Sequence, residues 1–126
     1  MADIEAVSLE LAQAALRLEH LAARVQAENI ARLGAGSPTL FSTQLDAAYD
    51  ALRQSAASPM QASALARDVQ RDASAVAGVH AVPAAPGASA DDLVMAMTRT
   101  EGRYKALADG IARQYSLMTL AIRGAR

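Results

Sequence analysis

The sequence contains no cysteine and no tryptophan, and its aromatic complement is one phenylalanine and three tyrosines in 126 residues. Without cysteine there is no disulfide framework, no thiolate nucleophile and no cysteine-based zinc site. Neither sign of charge dominates, with 12 Lys and Arg against 13 Asp and Glu, so there is no electrostatic footprint for nucleic acid or an anionic membrane. No apolar run approaches the roughly 18 residues that a membrane span needs, and direct membrane insertion is not expected. The first ten residues carry Asp3, Glu5 and Glu10 and no base, unlike the basic start of a secretory signal, so no cleaved signal peptide is expected.

What the chain has instead is alanine, its commonest residue, which lifts the hydrophobic fraction to 52% while large core formers stay few. Alanine buries little area, and at about 25 cal/mol per Å² of apolar surface such a chain gains less from its own core than an ordinary domain of its length. Small side chains suit close helix–helix contact. Composition therefore predicts an all-α fold in a single domain spanning 1–126, with other subunits completing the burial.

Apolar periodicity predicts a first helix over 3–33. Ile4, Leu11, Leu18 and Val25 recur every seven residues, with Val7, Ala14 and Leu21 on the adjacent line, as in the seam of a helix packed on another helix. A second line, Leu9, Leu16, Ala23 and Ile30, gives the same helix another apolar face, to be covered either within the chain or, because large residues elsewhere are few, by a neighbouring molecule, which is the expectation. Glycine and proline at Gly34, Gly36 and Pro38 stop the helix.

Short helices are expected over 34–76. One starts at Thr43 as N-cap and runs through Leu45, Tyr49 and Leu52; another has Ser58 as N-cap, Pro59 at the first helical position and Gln61 behind it, and continues to about Val76. Residues 77–90 hold two prolines and two glycines without a charge and read as a linker. The last helix is predicted over 89–124, with Ser89 capping it and Asp91 and Asp92 in its first turn. In it Met97, Tyr104, Ile111 and Met118 form a seven-residue line beside Leu107, whereas Leu117 and Leu120 point elsewhere.

The simplest arrangement pairs the two terminal helices as an antiparallel, coiled-coil-like hairpin, with the middle of the chain as an excursion. Its intramolecular seam would comprise Leu11, Leu18, Leu21 and Val25 against Met97, Tyr104, Leu107, Ile111 and Met118. Contact between subunits would fall on Leu9, Leu16 and Ile30 of the first helix and Leu117 and Leu120 of the last.

No catalytic, cofactor-binding or metal-ligating residue is predicted. His20 and His80 are the only histidines, neither has a partner at metal-ligand spacing, and Glu19-His20 reads as a solvated stretch of helix. No G-x-S-x-G elbow accompanies the serines, and Gly34-Ala35-Gly36 lacks both a third glycine and a P-loop lysine. No small-molecule substrate is expected.

The C-terminal stretch is more specific. Asp92-Leu93, Glu101-Gly102-Arg103-Tyr104-Lys105-Ala106-Leu107, Arg113-Gln114-Tyr115-Ser116-Leu117-Met118 and Ala121-Ile122-Arg123-Gly124 follow one another without gaps. Together they resemble the C-terminal helix of bacterial flagellar basal-body rod proteins, the proximal rod subunit above all. In the first helix, Asn29-Ile30-Ala31 is similar to the same family's Asn-Ile-Ala core. The residues carrying the resemblance are thus Asn29, Ile30, Ala31, Arg103, Tyr104, Leu107, Ala121, Ile122 and Gly124.

The resemblance implies a non-enzymatic structural subunit of the axial rod, exported unfolded by a type III system into the periplasmic part of the basal body. It would need no cofactor, and its partners would be other rod, MS-ring and export-apparatus proteins and copies of itself. A rod component of a related type III secretion apparatus is an alternative within the same class. A helical-bundle adaptor or chaperone that binds a partner helix is the alternative outside it.

Overall fold

The structure is a computed structural model that describes residues 2–85, 87 and 89–124, with side chains described from residue 9 onward except those of Tyr115 and Met118. It is mostly helical, as the composition predicts. The long helix α1 spans Ala2–Gly34, the strand β1 Thr39–Ser42, and the helices α2, α3 and α4 span Leu45–Ser55, Pro59–Arg71 and Ala73–Val76. Strand β2 covers His80–Pro83, and the second long helix α5 covers Ala90–Gly124.

Local chemistry accounts for most boundaries. At the end of α1, Gly36 adopts φ +75, which only glycine reaches without strain, and the Ser37 N–H donates to the Arg32 carbonyl at 2.9 Å. Helix α2 starts one residue later than expected, with Gln44 in place of Thr43 at the N-cap and no side-chain bond. Ser58 stands at the N-cap of α3 with Pro59 behind it, but its hydroxyl makes no capping bond. Ser89 does cap α5, its Oγ accepting the Asp92 N–H at 3.2 Å.

The helix expected to run unbroken to Val76 divides at Asp72. That residue leaves helical geometry at φ −152 and ψ 82, and its carboxylate accepts the Ala75 N–H at 3.1 Å, so it ends α3 and caps α4.

No strand is expected from the sequence, yet two form, and residues 77–90, expected as a linker, supply one of them. β1 and β2 pair antiparallel with Thr39 opposite Pro83, Leu40 opposite Val82, Phe41 opposite Ala81 and Ser42 opposite His80. The Ala84 N–H donates to the Pro38 carbonyl at 2.8 Å, so Pro38, Leu40 and Ser42 lie at hydrogen-bonded positions of the ladder. Pro83, opposite Thr39, therefore falls where the backbone nitrogen points away from the partner strand, and its missing N–H costs the ribbon nothing.

The buried cluster joins α1 to the middle helices. Ala14 and Leu18 of α1 pack with Ala48 and Leu52 of α2, Ala66 and Val69 of α3, and Ala73 and Ala77 at α4. Five of these eight residues are alanines, so the helices approach closely and the core is thin. The middle of the chain, expected to be an excursion, thus supplies most of the buried residues. α1 lies against α5 and against α3, which gives one helix two covered faces within the chain.

Candidate functional site

Glu19, read from sequence as part of a solvated stretch, is 2% exposed. Its Oε1 accepts the Tyr49 hydroxyl of α2 at 2.5 Å and the Arg103 Nε of α5 at 3.0 Å. Arg103 also donates from Nη2 to the Thr100 hydroxyl at 3.3 Å, and Thr100, itself fully buried, donates to the Ala96 carbonyl at 3.1 Å. One carboxylate thereby ties three helices together. Burial first, and then donation to Glu19, push the Tyr49 phenol well above its usual range. Beside this network the His20 and Tyr104 rings meet at 6.2 Å between centroids.

Asn29 has a comparable role at the other end of α1. Its Nδ2 donates to the Phe41 carbonyl and its Oδ1 accepts the Phe41 N–H, both at 2.8 Å. Phe41 lies at a non-hydrogen-bonded position of the ribbon, so both its polar groups face outward, and the Asn29 amide occupies the place a third strand would take. Arg32, paired with Glu28 at 3.0 Å, stacks over the Phe41 ring at 4.5 Å from its centre.

A stripe along α1, from Gln13 through Leu16, Arg17, His20 and Leu21 to Glu28, lines a row of three depressions. The first, of about 540 Å³, has Leu16, Gln70 and Tyr104 in its walls; the second, of about 110 Å³, is bounded by Arg17, Arg24 and Arg71; the third, of about 320 Å³, by Val25, Phe41 and Val79. Adjacent depressions share residues: Arg17 and His20 between the first two, Leu21, Arg24 and Ser74 between the last two. They form one open groove.

The other conspicuous surface is the end of α5. Leu117, Leu120 and Ile122 are 61%, 63% and 61% exposed, and Val94 and Met95 near its start are also exposed. No helix among the described residues is long and apolar enough to cross a membrane.

The expected seam residues are distributed among several contacts. Leu18 is in the buried cluster and Leu11 and Leu21 pack against it, on the side of the middle helices, while Val25 borders the groove. On α5, Met97, Leu107 and Ile111 are half-buried and Tyr104 is exposed beside His20; the Met118 side chain lies outside the described residues. Of the expected inter-subunit residues, Leu9 is buried within the chain, Leu16 and Ile30 are half-buried, and Leu117 and Leu120 are open. Ala31, Ala121, Ile122 and Gly124 are exposed.

Sequence reasoning missed Glu19 because a single acid on a helix carries no periodic signal of burial; its partners lie 30 and 84 residues away. Among the described residues no group of three His, Cys, Asp or Glu could hold a metal ion. Neither a known protein family, nor a curated protein, nor a solved structure matches this chain.

Proposed function

We propose that the protein is a non-catalytic structural subunit of a helical, multi-subunit rod, of the flagellar basal-body type or of a related type III secretion apparatus. The observation that carries the reading is the open apolar end of α5, where Leu117, Leu120 and Ile122 stand in solvent on a folded chain. Scattered single apolar residues need no explanation, but Leu117 and Leu120 lie one turn apart on one face and Ile122 makes the far side of the same helix end apolar as well, so association would bury more than one side of it. The thin alanine core supports the same reading, since a subunit exported unfolded must unfold at little cost. The resemblance of the Asp92 to Gly124 segment to rod proteins agrees with both.

In this proposal α1 and α5 run as an antiparallel hairpin, supported by the contact of Glu19 and His20 with Arg103 and Tyr104 midway along the two helices. Partners are copies of the chain and other rod, MS-ring and export-apparatus proteins, in the periplasmic part of the basal body. Sedimentation of the purified chain over a range of concentrations tests it. Mass should grow without a fixed end point, and Leu117→Asp with Leu120→Asp should return the chain to monomer with its helicity kept. A small oligomer of fixed size, untouched by that double substitution, would favour an adaptor and overturn the rod.

A further inference from the structure

The groove along α1 has a charge pattern that the open end of α5 does not explain. The α1 positions that line it recur at three- and four-residue steps from Gln13 to Glu28, which makes it about 22 Å long at 1.5 Å per residue. Arg17, Arg24 and Arg71 converge on its central depression, and none of them has an ion-pair partner among the described residues. Of the nearby acids, Asp72 caps α4 and Glu28 holds Arg32, while Asp68 lies one turn before Arg71 on α3. Guanidinium groups stay charged at any physiological pH and match carboxylates in a two-point geometry. On either side of this basic centre the walls mix apolar and polar side chains, with Leu16 and Tyr104 beside Gln13, His20 and Gln70 at one end and Val25, Phe41 and Val79 beside Glu28 and Ser74 at the other. Such a groove suits an amphipathic helix that is acidic on its flanks.

The chain carries one segment of that kind. Ahead of Leu9, which is buried within its own chain, residues 1–8 carry Asp3 and Glu5, Ile4 and Val7, and no Lys or Arg. Helical residues 2–8 span about 10 Å, shorter than the groove. Because Ala2–Gly34 is one uninterrupted helix, this segment cannot fold back onto the groove of its own α1.

We propose that the groove receives the acidic N-terminal segment of a second copy of the chain. The contact is heterologous, a segment of one copy in a different surface of the next, and such contacts propagate into filaments where the rotation does not close. The inference rests on the assembly reading above and names the surfaces that would carry it.

Charge reversal on the full chain tests it. A groove variant, Arg17→Glu with Arg24→Glu and Arg71→Glu, and a segment variant, Asp3→Lys with Glu5→Lys, should each associate at least about tenfold more weakly than the native chain in sedimentation velocity at low salt. Mixed one to one, the two variants should recover association to within about threefold of native, because each then offers the other a complementary contact. Misfolding cannot produce that recovery.

Association unchanged by either reversal, or lost in both and not recovered on mixing, would overturn the proposal. So would calorimetric binding of inorganic phosphate to the native groove together with unimpaired association of the groove variant, which would assign the arginines to a free anion. If Leu117→Asp with Leu120→Asp abolishes association while the charge reversals leave it intact, this inference alone fails. A native chain that stays monomeric at every concentration removes both.

Discussion

Two polar side chains hold elements that the hydrophobic pattern leaves loose. Asn29 is buried and gives both halves of its amide to the Phe41 backbone. Asn29→Ala should cost about 2–3 kcal/mol, since two bonds are lost and two backbone groups are left with poorer partners; a urea denaturation midpoint measures it. Asn29→Asp should cost more, because a carboxylate still accepts the Phe41 N–H but repels its carbonyl. The second case is Tyr49, whose proton burial and Glu19 hold in place. As pH rises past the usual tyrosine value near 10, the unfolded chain releases this proton and the folded chain keeps it, so stability must fall with rising pH. Tyr49→Phe should lower stability at neutral pH by about 1–2 kcal/mol. It should also flatten the alkaline decline, as melting temperatures between about pH 9 and 12 would reveal.

At the scale of elements, the two terminal helices were legible because their apolar residues repeat over many turns, and a long repeat averages out local exceptions. The break at Asp72 was not, although an Asp followed by small residues is a capping signal; the run of alanines continued helically on either side and hid it. The ribbon was also hidden. Four-residue strands show almost no alternation, and Thr39 to Ser42 become a strand only when the chain returns at His80 to Pro83. Gly78 makes that return possible at φ +63, where α4 gives way to β2. Gly78→Ala would place a Cβ 3.1 Å from the Gln44 Oε1, the mobile end of a side chain, so the cost comes chiefly from the left-handed backbone and should be about 1–2 kcal/mol. An unchanged denaturant slope with a lowered midpoint would identify it as a loss of stability and not of compactness.

For the whole molecule, the buried cluster is rich in alanine, with larger side chains such as Leu11, Leu45, Tyr49 and Leu65 only half-buried around it, while α5 presents large apolar residues to solvent. A chain that gains much of its burial from neighbours has a melting temperature that rises with its concentration, because association binds only the folded form. On the proposed assembly, thermal scans over a hundredfold range of concentration should shift upward by several degrees. A midpoint independent of concentration would mean that the monomer is complete as it stands. Of the candidate surfaces, the end of α5 was legible in sequence, since Leu117 and Leu120 fall off the seven-residue line. The groove was not, because Arg17, Arg24 and Arg71 come together only when α3 is laid beside α1.

The sequence by itself determined the mostly helical class of fold and the two long helices, which follow from composition and period along one chain axis. Only the tertiary structure decided which face meets which neighbour. Heptad counting defines stripes without partners, so it gave Leu11, Leu18 and Leu21 no contact with the middle helices, whose buried cluster Leu18 joins and Leu11 and Leu21 pack against. The tertiary structure likewise buried Glu19, whose hydrogen-bond partners on α2 and α5 exist only in three dimensions.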